Sequence, residues 1–387
     1  MQLANKMHRL GTETAFEVLQ RAESLRSQGR DIINLGIGQP DFKSPPHVVE
    51  AAVKALRDGH HGYTPAPGIP ALREAVAADI VKYREAQVDP GQVLIVPGGK
   101  VTMFFAILMF GEPGAEILYP NPGFPIYESV INFTGAQAVP IPLVEEFDFS
   151  FNAQSVLNLL TANTRLVILN SPANPTGGAV PKSEIDTLVK GLEQFPNAVV
   201  MSDEIYSRIC YADEGHVSLL NYPEIRDRLI LLDGWSKTYA MTGWRMGYSV
   251  WPDTLIDHAT RLAINCHSCV NASAQYAAIA ALEGPQDSVD TMVETFETRR
   301  EIIVDGLNKI PGVSCRNPRG AFYVFPNVTE LPGQARDIQN SWLEDLGVAT
   351  VAGTSFGSYG EGYVRFSYAA STEEIQDALE RIGNSLV

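Results

Sequence analysis

Lys237 is one of only nine lysines in a chain of 387 residues, and it stands between two hydroxyl residues in "DGWSKTYAMTGWRMGY" (233–248). An amine does nucleophilic or proton-transfer work only when unprotonated, so a working lysine needs a depressed pKa or conversion to an imine. The segment carries two Trp, two Tyr and two Met, which speaks for burial rather than a solvated surface charge. Arg245 follows eight residues later. Asp203 closes the apolar run "AVVMSD" (198–203), and a carboxylate at the C-terminal end of a parallel strand lies where open α/β sheets bind ligands. Glu204 is the rival carboxylate beside it. Arg365, in "YVRFSYA" (363–369), is set among aromatic and apolar residues; once buried it needs an anion, and a bidentate carboxylate is the best partner.

Two glycine-rich stretches invite a nucleotide reading, and both fail it. "GIGQPD" (36–41) lacks the third glycine of a dinucleotide fingerprint and does not open a helix. "PGGKVT" (97–102) lacks the first glycine of a P-loop and has Val101 where a Ser or Thr is required. A strand, "VLIV", nevertheless runs into Pro-Gly-Gly, and an apolar helix begins near Lys100. The free N–H groups of Gly99 and Lys100 at such a helix end suit a phosphate. A plain strand-to-helix turn is the other reading.

These residues need a scaffold, and the apolar pattern supplies one. Candidate strands are "VLIV" (93–96), "EILY" (116–119), "RLVILN" (165–170), "AVVMSD" (198–203), "LILLDG" (229–234) and "RMGYSV" (245–250). Helical patterns lie between them, such as 181–195, which starts at Pro181. Alternation of this kind predicts an α/β fold with a mainly parallel sheet covered on both faces. The last hundred residues read differently. A helix over about 286–309, "AFYVFP" (321–326), a helix near 334–346, "YVRFSYA" and a final helix from 372 predict a smaller α+β domain. Three parts are expected: 1–42, with a helix near 13–29 packing on the small domain; 43–285, the large domain; and 286–387, the small one.

Composition narrows the partners. A formal net charge of −16 argues against nucleic acid and anionic membrane. The N-terminus has no apolar core or cleavage site of a signal peptide, and "VTMFFAILMF" (101–110) is too short to span a bilayer, so a cytoplasmic protein is expected. Cys266 and Cys269 form C-x-x-C, but no second ligand pair at zinc spacing exists and no metal is expected; the pair is read as ordinary buried thiols.

"NSPANPTGG" (170–178), "SDEIY" (202–206), "SKTYAMTGWRMGY" (236–248) and "YVRFSYA" stand in the order and approximate spacing of the class I/II aminotransferases. The chain resembles these fold type I enzymes, dependent on pyridoxal 5'-phosphate (PLP), over nearly its whole length, from "LGIGQPDF" (35–42) onward. The resemblance implies a large domain built on a seven-stranded sheet plus the small α+β domain. It implies that Lys237 forms the Schiff base with PLP and then carries a proton between substrate and cofactor. Asp203 would pair with the pyridine nitrogen, and Tyr206 and Asn174 would bond the ring oxygen. Tyr206, three residues past Asp203, would face the same side if the chain turns helically there. Arg245, with the Gly99 and Lys100 N–H groups, would hold the phosphate. Phe124, in "NPGFPIY", would stack on the ring unless it is a plain core residue. Arg365 would clamp the substrate α-carboxylate, helped by the Gly38 N–H. Tyr63, in "HGYTPAPGIP", would reach the phosphate of a neighbouring subunit, which implies a homodimer with shared active sites.

One position departs from the pattern. Many relatives carry a phosphate-binding serine three residues before the lysine, and here that residue is Gly234. The implied reaction moves an amino group from an L-amino acid to a 2-oxo acid by ping-pong chemistry. Lys100 has two readings, a cation for the distal carboxylate of aspartate or another acidic donor, with Thr12 and Thr14 of "GTET" nearby, or a surface helix cap. An aromatic or broad-specificity aminotransferase and a C–S or β-lyase share the motifs. A non-catalytic PLP-binding protein is the alternative of another class; the presence of the lysine argues against it.

Overall fold

The computed structural model describes residues 2–386. Its strands in chain order are β1 (Ile33–Asn34), β2 (Val93–Val96), β3 (Glu116–Asn121), β4 (Gln137–Pro142), β5 (Thr164–Asn170) and β6 (Val199–Asp203). They continue with β7 (Leu229–Gly234), β8 (Gly247–Val250), β9 (Tyr323–Val324), β10 (Val348–Ala349), β11 (Val351–Ala352) and β12 (Val364–Ser367). Seven of them form one sheet in the order β2-β8-β7-β6-β5-β3-β4. Only β8 runs against its neighbours; the other pairings are parallel. Every residue of β6 and β7 is buried, as continuous apolar runs covered on both faces require.

The six strands expected from the pattern are all present, and β4 is the addition. It holds Pro140 and Pro142, which cannot donate to a ladder, and it lies at the sheet edge, where that loss is tolerated. The run "RMGYSV" becomes a strand only from Gly247, because Arg245 adopts a left-handed conformation (φ 57°) that breaks extended pairing.

The C-terminal part holds a three-stranded antiparallel sheet, β11-β12-β9, packed with helices Asp287–Leu307, Ala335–Glu344 and Thr372–Ser385. Phe296, Phe322, Trp342 and Phe366 fill its core. The N-terminal segment joins this part: β1 pairs with β10, and Val18, Ala22 and Leu25 of helix Thr14–Ser27 pack on Leu343 and Ala349. Among the described residues no helix is long and apolar enough to cross a membrane, and no cluster of His, Cys, Asp and Glu is arranged to hold a metal ion.

The cysteine expectation needs correction. Cys266 is exposed and Cys269 only partly buried, both unpaired. Cys266 lies on the outer face in the last turn of helix Ile256–His267, and Ser268, at φ 62°, reverses the chain before Cys269.

Candidate active site

The parallel strands end at one edge of the sheet, and a cavity of about 540 Å³ opens there between the large sheet and the C-terminal part. That size falls within the roughly 300–1,000 Å³ of small-molecule sites. Lys237, Asp203, Tyr206, Asn174, Arg245 and Arg365 all face it, and so do Gly38, Gly99, Lys100 and Phe124. Thr12 and Thr14, named beside Lys100, do not line it, and Tyr63 stands elsewhere. Its side chain is 94% exposed, beside His60, His61 and Cys269.

β7 delivers Lys237 through the one-turn helix Trp235–Thr238. Its amine donates to the Gly38 carbonyl at 2.5 Å. Burial, reinforced by the charges of Arg365 and Arg245, pulls its pKa down to about 8. At neutral pH a useful fraction of this amine is unprotonated, the condition a nucleophile or proton carrier needs.

Asp203 ends β6. It accepts the Tyr127 hydroxyl at 2.5 Å and the Ile205 N–H at 3.2 Å, and no ion pair forms on it among the described residues. Burial pushes its pKa up to about 7, against the opposing pull of those two hydrogen bonds. Residues 205–208 form a turn, not a helix, yet the turn still sends Tyr206 into the cavity. The Tyr206 hydroxyl lies 2.8 Å from that of Tyr323.

The neighbouring carboxylate, Glu204, points the other way. It is held by Arg84 Nε at 2.9 Å, His216 Nε2 at 2.9 Å and the Ser218 hydroxyl at 2.9 Å. Burial alone would raise its pKa; His216 and Arg84 outweigh that and bring it to about 2. Arg84 also pairs with Asp233, so one guanidinium ties the ends of β6 and β7 together, next to Asp203 and four residues before Lys237.

A cradle of glycines lies between β2, β8 and helix Lys100–Phe110. Gly98 has φ +90°, and a Cβ there would stand 2.2 Å from Arg245 Nη2. A Cβ on Gly247 would meet the Gly99 nitrogen at 2.5 Å. The close approach sets the Arg245 guanidinium beside the helix N-terminus, where the first N–H groups have no intrahelical acceptor. Gly234, the departure noted above, belongs to the same packing. A Cβ there would stand 2.8 Å from the Gly247 Cα, so no serine fits without movement. Ser236 lines the cavity instead.

Arg365, on β12, is fully buried between the rings of Tyr323 and Phe356, each 4.6 Å from its guanidinium carbon. Nη1 donates to Asn174 Oδ1 at 2.8 Å and Nη2 to the Gly36 carbonyl at 2.5 Å, while Nε is buried with no partner. Phe124 meets Tyr127 edge-on at 5.9 Å. The Lys100 ammonium lies 5.3 Å from the Phe124 ring and pairs with Glu13. Lys100 is therefore a cavity residue rather than a surface cap.

Among the wall residues not singled out in the sequence are three with polar side chains close to the charged groups, Tyr127, Tyr323 and Glu13. Tyr127 lies three residues after Phe124 in "NPGFPIY", and Tyr323 inside the strand run "AFYVFP"; helical spacing and strand alternation were the available signals.

This donor set fits PLP part by part. Asp203 is a buried carboxylate without a cation, suited to a protonated ring nitrogen. The Gly98–Gly99 turn with Arg245 suits a phosphate, Lys237 an aldehyde, and Arg365, a buried guanidinium with no carboxylate partner among the described residues, a substrate carboxylate.

Residues 30–382 match the family described as aminotransferase class I and II. The aspartate aminotransferase of Geobacillus stearothermophilus is 35% identical over 99% of this chain and 98% of its own length. The aspartate aminotransferase of Thermus thermophilus with maleate superposes with a TM-score of 0.95 at 31% identity, covering 100% of both chains. An alanine aminotransferase from Pyrococcus furiosus superposes with a TM-score of 0.93 at 30% identity, covering 100% of this chain and 99% of its own.

Proposed function

The chain belongs to the class I and II aminotransferases, and we propose that it transfers the amino group of an L-amino acid to a 2-oxo acid in the cavity around Lys237, with PLP held there. The observation that carries this reading is the meeting of Lys237, Asp203, Arg365 and the Gly98–Arg245 cradle in one cavity from four separate stretches of chain. PLP, when bound, offers amines an aldehyde and supplies a protonated ring as electron sink.

The residues around it have distinct tasks. Lys237, with its pKa near 8, would hold the cofactor through its amine and, once released, would carry the proton of the substrate α-carbon. Asp203 would hold the ring nitrogen protonated, and that adjacent cation would reverse the effect of burial and keep the carboxylate charged. Tyr206 and Asn174 would bond the ring oxygen, and Phe124 would cover the ring face. Arg245 and the N–H groups of Gly99 and Lys100 would hold the phosphate. Arg365 would clamp the α-carboxylate, assisted by the Gly38 N–H, and this orients the α-hydrogen toward Lys237. Lys100 would offer its charge to an acidic side chain, in line with the aspartate aminotransferases among the relatives.

Residues 1–42 and 286–387 would act as one unit against 43–285, so that Arg365 and Gly38 close on substrate together. The fully exposed position of Tyr63 supports a homodimer in which the partner subunit's Tyr63 completes the phosphate site. Four unpaired cysteines go with a cytoplasmic setting.

Single-turnover mixing tests the function. The PLP-loaded protein, mixed with aspartate, glutamate, alanine, phenylalanine or a sulfur amino acid, should yield one equivalent of 2-oxo acid per site and no free ammonia. A second 2-oxo acid should then collect the amino group. Ammonia and pyruvate released without an acceptor would identify a β-lyase and refute the proposal.

A further inference from the structure

Among the described residues, two carboxylates line the cavity. Asp203 has a task in the reading above; Glu13 has none. Glu13 directly precedes helix Thr14–Ser27, but its side chain makes no cap hydrogen bond. It reaches instead to the Lys100 ammonium, 87 residues away in sequence. The Glu13 side chain is 14% exposed and that of Lys100 is 42% exposed. Its charge is felt deep in the site, where it raises the proton affinity of both Lys237 and Arg365. The neighbouring wall is apolar, with Ala15, Phe16, Ile37 and Met103.

We propose that Glu13 tunes side-chain specificity, as an internal carboxylate that competes with the distal carboxylate of an acidic substrate for Lys100 and so narrows the advantage of acidic over uncharged side chains. The inference rests on the reading that an amino acid binds with its α-carboxylate on Arg365. A neutral side chain packs on Phe16, Ile37 and Met103 and leaves the ion pair intact. An acidic side chain must take Lys100 from Glu13, and two carboxylates then share one ammonium at the cavity wall. Like charges brought together in a partly desolvated site are costly, so acidic ligands bind more weakly than Lys100 alone would allow. The effect is a specificity filter, because the neutral ligand never meets it.

Calorimetric titration of the PLP-loaded protein with succinate and with butyrate tests this. The two ligands share one carboxylate for Arg365 and differ in the second. Glu13→Gln should tighten succinate about tenfold, equivalent to about 1.4 kcal/mol, and change butyrate by less than about twofold. In a Lys100→Met background the same substitution should give no gain for succinate. Glu13→Asp, which keeps the charge on a shorter stem, should fall between parent and Gln variant. An unchanged or weaker succinate affinity, an equal gain for both ligands, or a gain that persists without Lys100 would each overturn the proposal. Binding needs no turnover, so a protein that transaminates nothing would contradict the proposed function while the succinate-to-butyrate comparison still decides the role of Glu13.

Discussion

Asp203 and Glu204 are adjacent in sequence, equally buried, and opposite in state. Glu204 belongs to a closed cluster in which Arg84, His216 and Ser218 satisfy it, and its pKa falls to about 2. Asp203 belongs to an open cluster with Lys237 and Arg365, in which burial moves each pKa toward the uncharged form. The same ingredients, buried carboxylates and cations at one sheet edge, thus serve two ends. Where charges complete one another the region is scaffold; where they are left facing a cavity they are available to a ligand. Arg84 links the two, because it fixes the ends of the strands that carry Asp203 and Lys237.

Substitutions on either side should break this contrast in different ways. Lys237→Ala should have the largest effect, a loss of turnover of about 10⁴-fold, with PLP still bound weakly through Asp203 and Arg245. The fold should not suffer, since the amine is held at a depressed pKa; a parallel drop in Tm of the cofactor-free protein would contradict that. Arg84→Ala should do the reverse. It leaves Glu204 and Asp233 buried without their cation and should destabilise the chain by about 3–5 kcal/mol in denaturant titration. An unchanged midpoint would mean that the closed cluster is not what holds the strand ends.

Asp203→Asn should come next, lowering kcat by about 10²-fold without loss of thermal stability, measured by steady-state kinetics beside calorimetry. The smallest effect is a difference in pH response. Asp203 has a raised pKa, so its contribution to folding is fully present below pH 3.8 and is lost as pH rises through about 7. Glu204 has a lowered pKa, so its contribution is present above pH 4.5 and is lost as pH falls through about 2. In the cofactor-free protein, Asp203→Asn should therefore flatten the decline in Tm between about pH 4 and 7. Glu204→Gln should leave that slope in place and lower Tm throughout; interchanged results would dissolve the contrast.

Much of the open cluster was legible in the sequence because its members end strands or sit in short runs. Lys237 follows "LILLDG", Asp203 ends "AVVMSD", and Arg365 lies within "YVRFSYA". The closed cluster was not legible. Glu204 could be named as the rival carboxylate, but Arg84, 120 residues away, is joined to it only by the packing of helix Pro70–Arg84. Glu13 and Tyr323 escaped for the same reason, since each enters the cavity from the N-terminal or C-terminal part by tertiary contact rather than by local pattern. β4 escaped because its prolines hide an edge strand. Gly234, visible as a departure, found its explanation only in the contact with Gly247.

The central claim is that Lys237 is the amine that holds PLP. Borohydride reduction of the PLP-loaded protein, followed by protease digestion and mass mapping, tests it most directly. A single pyridoxyl adduct on the peptide containing Lys237, absent from Lys237→Ala, is the expected result. An adduct on Lys100 or any other lysine, or no adduct in a protein whose visible absorbance has been bleached, would contradict it.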